Sequence, residues 1–251
     1  MKKMEYKTAL ITGASSGLGR GLALWFAKQG TKVYAAARRA EQLKALQAEA
    51  PEGLVMPVVM DVSDADATFT KVKALDNESG GLDLVIANAG VGTDTYGKRI
   101  NWEALSGLLK VNVNGAAATL TGALPGMVER KRGHLVGIAS LAAFRGLPRS
   151  AGYSGSKAFL SIFLEGLRVD VKHLGVQVTC VYPGFFKSEM TAKNGFKMPF
   201  MIETDDAVER TAKAIVRGTE RVMYPWPTAM GAKFLASLPL PAYQSLSRKL
   251  R

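Results

Sequence analysis

Short apolar runs rich in β-branched residues recur along the chain at 7–11, 32–37, 55–61, 82–88, 134–140, 176–182 and 221–224. Runs of this length bounded by turn residues mark strands covered on both faces, because alternation is lost when helices lie on either side of a sheet. Between them, apolar residues return at helical spacing over 17–30, 40–50, 64–78, 101–130, 151–174 and 204–218. Gly30 and Gly175 stand at two helix carboxyl ends, and Thr204, Asp205 and Asp206 at an amino end, where left-handed backbone and negative charge respectively are favoured. The alternation predicts one α/β domain over 1–251, built on a doubly wound parallel sheet of seven strands with helices on both faces.

Two segments depart from this rhythm. Residues 189–203 follow the sixth strand with weak periodicity and carry Gly195, Phe196, Met198, Pro199, Phe200 and Met201, which predicts an apolar loop over a substrate site. Residues 225–251 form an extension in which Phe234, Leu235, Leu238, Leu240, Tyr243 and Leu246 mix with Lys233, Arg248, Lys249 and Arg251, and Pro239 and Pro241 interrupt the helix. Three roles are open for it: a lid over the substrate pocket, a subunit contact, or peripheral contact with an anionic membrane surface.

Charge narrows the classes further. The chain has 33 Lys and Arg against 21 Asp and Glu, a net charge of +12, with clusters at Lys2, Lys3 and Lys7, at Arg38 and Arg39, at 130–132 and at the carboxyl end. No long stretch interleaves aromatic and basic residues, so nucleic-acid binding is not expected and most of the excess reads as solvated surface. The single cysteine, Cys180, lies in an apolar run and reads as core. No run of 18 apolar residues occurs and the amino terminus lacks a signal-peptide core, so a cytoplasmic location is expected, with the extension as the one membrane-directed element. His134 and His173 have no ligand spacing; both read as surface or strand-end residues, and no metal is expected.

The chemistry begins at the first strand. Thr12-Gly-Ala-Ser-Ser-Gly-Leu-Gly19 joins strand to helix, where glycines permit a tight turn and the helix amino end attracts an anion such as pyrophosphate. Its spacing, Gly13 then Gly17 and Gly19, differs from the commoner GxGxxG. The second strand ends Ala35-Ala-Ala37-Arg38-Arg39. An acidic residue there would accept from a ribose 2′-hydroxyl, whereas arginine accommodates a 2′-phosphate. With two guanidiniums, and Ser15 to add a hydroxyl, NADP(H) is expected over NAD(H). Asp61, ending the third strand, is placed to bond the adenine, and Asn88, Ala89 and Gly90 to line the adenosine side.

Farther along, Ser140 precedes Tyr153 and Lys157. Positions i and i+4 share a helix face, so the ammonium can lie near the phenol and draw its pKa down from about 10 toward neutral pH, where proton exchange with a carbonyl or alcohol is efficient. These motifs together make the chain resemble the short-chain dehydrogenase/reductase family from Lys7 to about Tyr224. The resemblance rests on Thr12-Gly-x-x-x-Gly-x-Gly19 (with Ser15, Ser16 and Leu18 inside it), Asp61-Val62, Asn88-Ala89-Gly90, Asn112, Ser140, Tyr153-x-x-x-Lys157 and Pro183-Gly184.

The resemblance implies a Rossmann-type sheet with the nicotinamide across the strands' carboxyl ends. It also implies Tyr153 as general acid and base, Ser140 on the substrate oxygen, Lys157 on Tyr153 and the ribose, and Asn112 holding a water that links Lys157 to solvent. Pro183 and Gly184 would lie along the carboxamide. Ser188 stands where the family often has threonine and keeps the hydroxyl. The resemblance further implies pairing of the helices at 101–130 and 151–174 in a homodimer or homotetramer. Leu141, Phe144, Leu147, Phe185, Phe186, Phe196 and Met198 predict an apolar substrate pocket, while Arg145 and Arg149 leave room for an anionic tail. The expected activity is NADPH-dependent reduction of a hydrophobic ketone, or the reverse oxidation of a secondary alcohol. The alternative is an NADP(H)-binding sensor or scaffold, lipid-associated or not.

Overall fold

Strands β1 (Thr8–Thr12), β2 (Lys32–Ala37), β3 (Val55–Val59), β4 (Leu84–Ala87), β5 (Gly133–Ile138), β6 (Val176–Pro183) and β7 (Arg221–Tyr224) form one sheet in the order β3-β2-β1-β4-β5-β6-β7. Every pairing is parallel. The computed structural model describes residues 5–193 and 198–249. The seven-stranded, doubly wound α/β fold expected from the apolar runs is the one observed.

Alternate residues of each strand point to opposite faces, and in the central strands β1, β4 and β5 both faces are buried. Ala9 and Ile11 of β1 join α1 (Gly17–Lys28), α2 (Ala40–Glu49) and α7 (Thr204–Val216) through Leu22, Phe26, Leu43, Leu46, Val208 and Ile215. Leu10 faces the other way with Val85, Leu135 and Cys180, under Val72 of α3 (Ala65–Glu78), Leu120 and Met127 of α5 (Ala116–Glu129), and Leu160 and Leu164 of α6 (Ala151–Val171). Burial on both faces is why these strands carry no polar alternation. Cys180 lies in this second core, and burial pushes its thiol up to about 11.

The helix expected over 101–130 is three consecutive pieces. Asn101 caps α4 (Trp102–Leu109) by accepting from the Ala104 N–H at 2.7 Å; a wide π segment (Lys110–Gly115) follows, then α5. The wide turn ends where Gly115 lies against β3's exit, with a Cβ there only 2.3 Å from the Val62 carbonyl oxygen. Such π segments recur at functional sites, and this one carries Asn112. The extension divides at its prolines into α8 (Trp226–Ser237) and α9 (Leu240–Lys249).

One expectation is corrected by the core. His134 is not a surface residue: it stands one position inside the start of β5 and is fully buried. Thr179 gives its own hydroxyl proton to the Thr219 carbonyl, so at 2.8 Å it accepts from His134 Nε2, leaving Nδ1 to accept from Tyr6 Oη at 2.7 Å. Burial lowers the imidazole to about 3. Part of the basic excess is nonetheless drawn inward at Arg130. Arg130 makes a two-pronged pair with buried Asp76 at 2.9 and 2.7 Å, tying α5 to α3, and Arg132 pairs with Asp83 at 3.0 Å.

Asp76 also accepts from the Leu82 N–H at 2.8 Å. Asp76→Ala is therefore expected to destabilise the fold by about 3 kcal/mol, the cost of breaking a largely buried pair from one side, read as a lower urea midpoint. His134 takes up a proton near pH 6.5 when unfolded but only near 3 when folded. Stability is thus complete above pH 6.5 and falls on acidification toward 3, by up to about 1.4 kcal/mol per pH unit. Melting curves across that window should show a shallower pH slope in His134→Gln than in the parent chain.

Candidate active site

The strand order reverses between β1 and β4, and the turns leaving these two strands are locked together. Thr12 Oγ1 accepts from the N–H groups of Asn88 and Ala89 at 3.1 and 3.2 Å, while Asn88 Nδ2 donates to the Thr12 carbonyl at 2.9 Å. Gly13 and Gly17 have φ of +69° and +54°, the left-handed region that glycine alone enters without strain. Gly19 has no room for a side chain: a Cβ would stand 2.3 Å from Asn88 Nδ2 and 2.4 Å from the Gly13 oxygen. Ser16, at the amino end of α1, makes no side-chain cap. The first N–H groups of α1 thus face the crevice as an anion-binding end.

The two arginines after β2 part company. Arg39 folds back over the glycine turn, giving Nε to Ser15 Oγ at 3.1 Å and Nη2 to Ser16 Oγ at 2.7 Å. Arg38 points to Asp61 at 3.9 Å, both side chains well exposed. Asp61 accepts from the Ser63 N–H at 3.0 Å, which lowers its pKa. Leu18 and Val62 are buried in the core, so only their backbone is available to a ligand. Ser188 meets the turn from the far side, its Cβ 3.7 Å from where a Cβ on Gly17 would stand.

At the exit of β5 and the first turns of α6, the polar residues separated in sequence converge. Ser140 Oγ accepts from the Ala142 N–H at 3.1 Å and stands near enough to Tyr153 to pull the phenol's pKa down. Lys157, 4% exposed, lies with Nζ 5.8 Å from the Tyr153 ring centre and donates to the Ile138 carbonyl at 2.7 Å. Gly90 closes this corner, since a Cβ there would sit 3.3 Å from Lys157 Nζ and 3.5 Å from Asn112 Oδ1.

The electrostatics differ from the expectation drawn on the i, i+4 spacing. Burial raises the Tyr153 pKa, opposed by the Ser140 hydroxyl. Burial also lowers Lys157 to about 8. The ammonium is turned to a backbone carbonyl, and the group that favours the phenolate here is the Ser140 hydroxyl.

Asn112 is 1% exposed and its amide is engaged on all sides. It accepts from the Val91 N–H at 2.8 Å and donates to the Val91 carbonyl at 2.9 Å and Ser156 Oγ at 3.0 Å. Ser156 passes its proton to the Tyr153 carbonyl at 2.8 Å. The side chain therefore reaches Tyr153 through Ser156 and braces the loop after β4.

Pro183 ends β6, and the Gly184 N–H donates to the Tyr224 carbonyl at 2.7 Å. Among the apolar residues expected around a substrate, Leu141 and Phe144 pack into the core under α6, Phe144 lying 5.2 Å from the Tyr182 ring. Phe186 packs against the opposite core. Leu147, Phe185 and Met198 are half-buried, and Phe196 lies outside the described residues. The extension closes this end of the molecule: Tyr243 donates its hydroxyl to the Gly146 carbonyl, and Arg145 stacks 4.5 Å from the Tyr243 ring while bonding the Ala236 carbonyl at 3.3 Å. Arg149 pairs with Asp94 at 2.8 Å. Both arginines left open for an anionic tail thus hold protein partners. Among the described residues no helix is long and apolar enough to cross a membrane.

A glycine turn on an anion-binding helix end, with a serine, tyrosine and lysine beside it at the sheet's carboxyl edge, agrees with comparison to known proteins. The family profile described as short chain dehydrogenase matches residues 7–198. The chain belongs to the short-chain dehydrogenase family. It is 58% identical, over the whole of both chains, to an uncharacterized oxidoreductase of Myxococcus xanthus. A short chain dehydrogenase from Burkholderia cenocepacia, solved in complex with NADP, shares 27% identity with a TM-score of 0.81, covering 100% of this chain and 99% of that one. A 3-ketoacyl-(acyl-carrier-protein) reductase from Brucella melitensis, solved with NADH, is 23% identical with a TM-score of 0.80, covering 89% and 98%, and shows likeness of fold. The protein is an oxidoreductase of this family with a nicotinamide-binding fold.

Sequence reading missed the bracing residues. Ser156, Thr12, Glu189 and Tyr243 act through partners distant in sequence. Thr12, at the head of the glycine turn, and Ser156, inside the Tyr153–Lys157 turn, had a positional signal. The tight seat of Gly19 yields a direct test: Gly19→Ala should destabilise the chain by about 1–3 kcal/mol, as overpacking does. It should also weaken nicotinamide dinucleotide binding in a fluorescence titration.

Proposed function

We propose that this short-chain dehydrogenase reduces hydrophobic ketones with NADPH, or oxidises the matching secondary alcohols with NADP, using Tyr153 as the proton-transferring group. The observation that carries the reading is the convergence of Ser140, Tyr153 and buried Lys157 at the sheet's carboxyl edge, with Lys157 Nζ 5.8 Å from the Tyr153 ring centre. A sensor or scaffold would need the nucleotide cradle but not this set.

The residues fit a nicotinamide dinucleotide. The left-handed glycines, the uncapped start of α1 and the tight approach at Gly19 make a cradle that a side chain would fill. Gly13, Ser15, Ser16, Gly17, Leu18 and Gly19 would hold the pyrophosphate through backbone and hydroxyls. Arg38 and Arg39 would flank the 2′-phosphate, and Asp61 with the Val62 backbone the adenine. Asn88, Ala89 and Gly90 would lie along the adenosine, Lys157 on the ribose, and Pro183, Gly184 and Ser188 near the carboxamide. When bound, the nicotinamide supplies or accepts the hydride. Since solved relatives hold either NADP or NADH, the preference is argued from this chain: no carboxylate ends β2, and Arg39 already lies on the glycine turn.

In the reducing direction Tyr153 delivers its phenolic proton to the carbonyl oxygen. A phenol whose pKa burial raises is protonated at neutral pH and ready to donate. Ser140 orients that oxygen and favours the phenolate left behind. Lys157, still mostly charged at pH 7 with a pKa of about 8, adds a positive field once the phenolate forms. Asn112 positions Tyr153 through Ser156. Half-buried Leu147, Phe185 and Met198 would supply apolar surroundings, with α9 as the outer wall. Exposed Ile162 and Val169 on α6 support a homodimer or homotetramer through that helix.

Tyr153→Phe removes one hydroxyl. Ketone-dependent NADPH oxidation should fall at least about a hundredfold, the usual scale of general-acid loss, with NADPH affinity nearly unchanged. Retention of the biological role by this variant would instead establish the scaffold reading.

A further inference from the structure

Arg39 joins two regions that the fold would otherwise hold apart. Beyond its bonds to Ser15 and Ser16, its Nη1 donates to both carboxylate oxygens of Glu189, at 3.2 and 3.0 Å. Glu189 follows β6, which stands four places from β2 in the sheet, or about 19 Å at the usual strand spacing. The segment carrying Glu189 therefore reaches across the carboxyl edge, over the mouth of the crevice. Its near end is fastened to the start of α7: Lys187 pairs with Glu203 at 2.5 Å and accepts at its carbonyl from Thr204. Its far end folds on itself through Ser188 and Thr191.

A guanidinium has five N–H groups. In this structure Ser15, Ser16 and Glu189 between them engage all three of its nitrogens. Any anion arriving at the end of β2 must share or displace these partners, and of the three only Glu189 repels it. The carboxylate is also the partner most easily released, being 63% exposed and so readily hydrated, in a class of ion pair that stabilises little.

We propose that Glu189 is a cofactor-specificity residue acting through Arg39. Its carboxylate holds the guanidinium edge that a 2′-phosphate takes, so a 2′-phosphorylated dinucleotide exchanges one anion for another and releases the segment after β6. A dinucleotide without the 2′-phosphate has no anion to exchange and leaves the latch closed. This rests on the NADP(H) reading given above. It makes cofactor choice and the position of the substrate-side segment one event.

The test uses the intact protein and two fragments that differ in the phosphate alone, 2′,5′-ADP and 5′-AMP, titrated calorimetrically. Glu189→Gln should tighten 2′,5′-ADP about three- to fivefold, the scale of an exposed ion pair, and leave 5′-AMP unchanged. In an Arg39→Gln background the same substitution should have no effect. In the parent chain, 2′,5′-ADP should speed amide hydrogen exchange across 187–192, and 5′-AMP should not. If Arg39→Gln weakens 2′,5′-ADP while Glu189→Gln changes neither affinity nor exchange, the latch is overturned and the NADP(H) reading stands. If the parent binds both fragments equally and Arg39→Gln changes nothing, the 2′-phosphate assignment fails and the latch with it.

Discussion

The backbone of the first turn and the exit of the fourth strand approach too closely for any side chain to stand between them. Gly13 and Gly19 are held against Asn88 by its hydrogen bond to the Thr12 carbonyl, and Thr12 returns the contact to Asn88 and Ala89. That approach opens a crevice where the strand order reverses, directs the start of α1 into it, and sets the line along which a dinucleotide can lie. Every other part of the site takes its place relative to this junction.

Burial governs the reacting groups more than pairwise charge does. Tyr153 and Lys157 share a helix face, yet withdrawal from water moves the phenol up and the ammonium down, each toward its neutral form. The Ser140 hydroxyl opposes the shift of the phenol, and the Ile138 carbonyl accepts from the ammonium. The result is a proton-bearing phenol beside a cation, in surroundings where a charge formed during reaction interacts strongly. Asn112 reinforces the arrangement from behind, through Ser156, and the π segment that carries it brings its amide to the Val91 backbone.

The basic excess divides into distinct tasks. Arg130 and Arg132 staple helices and turns through Asp76 and Asp83. Arg145 and Arg149 fix the segment between β5 and α6, one against the extension and the other against Asp94. Arg39 faces the crevice and the segment after β6 together. A net charge of +12 therefore says little by itself about an anionic partner, because several of its cations are structural.

Strand and helix order, the parallel sheet and the glycine turn were legible in the amino-acid sequence because each leaves a local trace: apolar runs bounded by turns, helical spacing, and glycines where backbone must turn left-handed. Ser140, Tyr153 and Lys157 were legible as a motif whose spacing matches a family. What they do to one another was not, since the direction of a pKa shift depends on burial and on which partner an ammonium meets, and both are decided by packing. The same holds for His134, whose flanking residues look like a strand end while Tyr6 and Thr179, from other elements, enclose it. Arg38 and Arg39 are equivalent as neighbours in the chain, and only the fold turns one to Asp61 and the other to the glycine turn and Glu189. Local periodicity determined the elements; contacts between residues far apart in the chain determined the site, because hydrogen bonds and desolvation act through space.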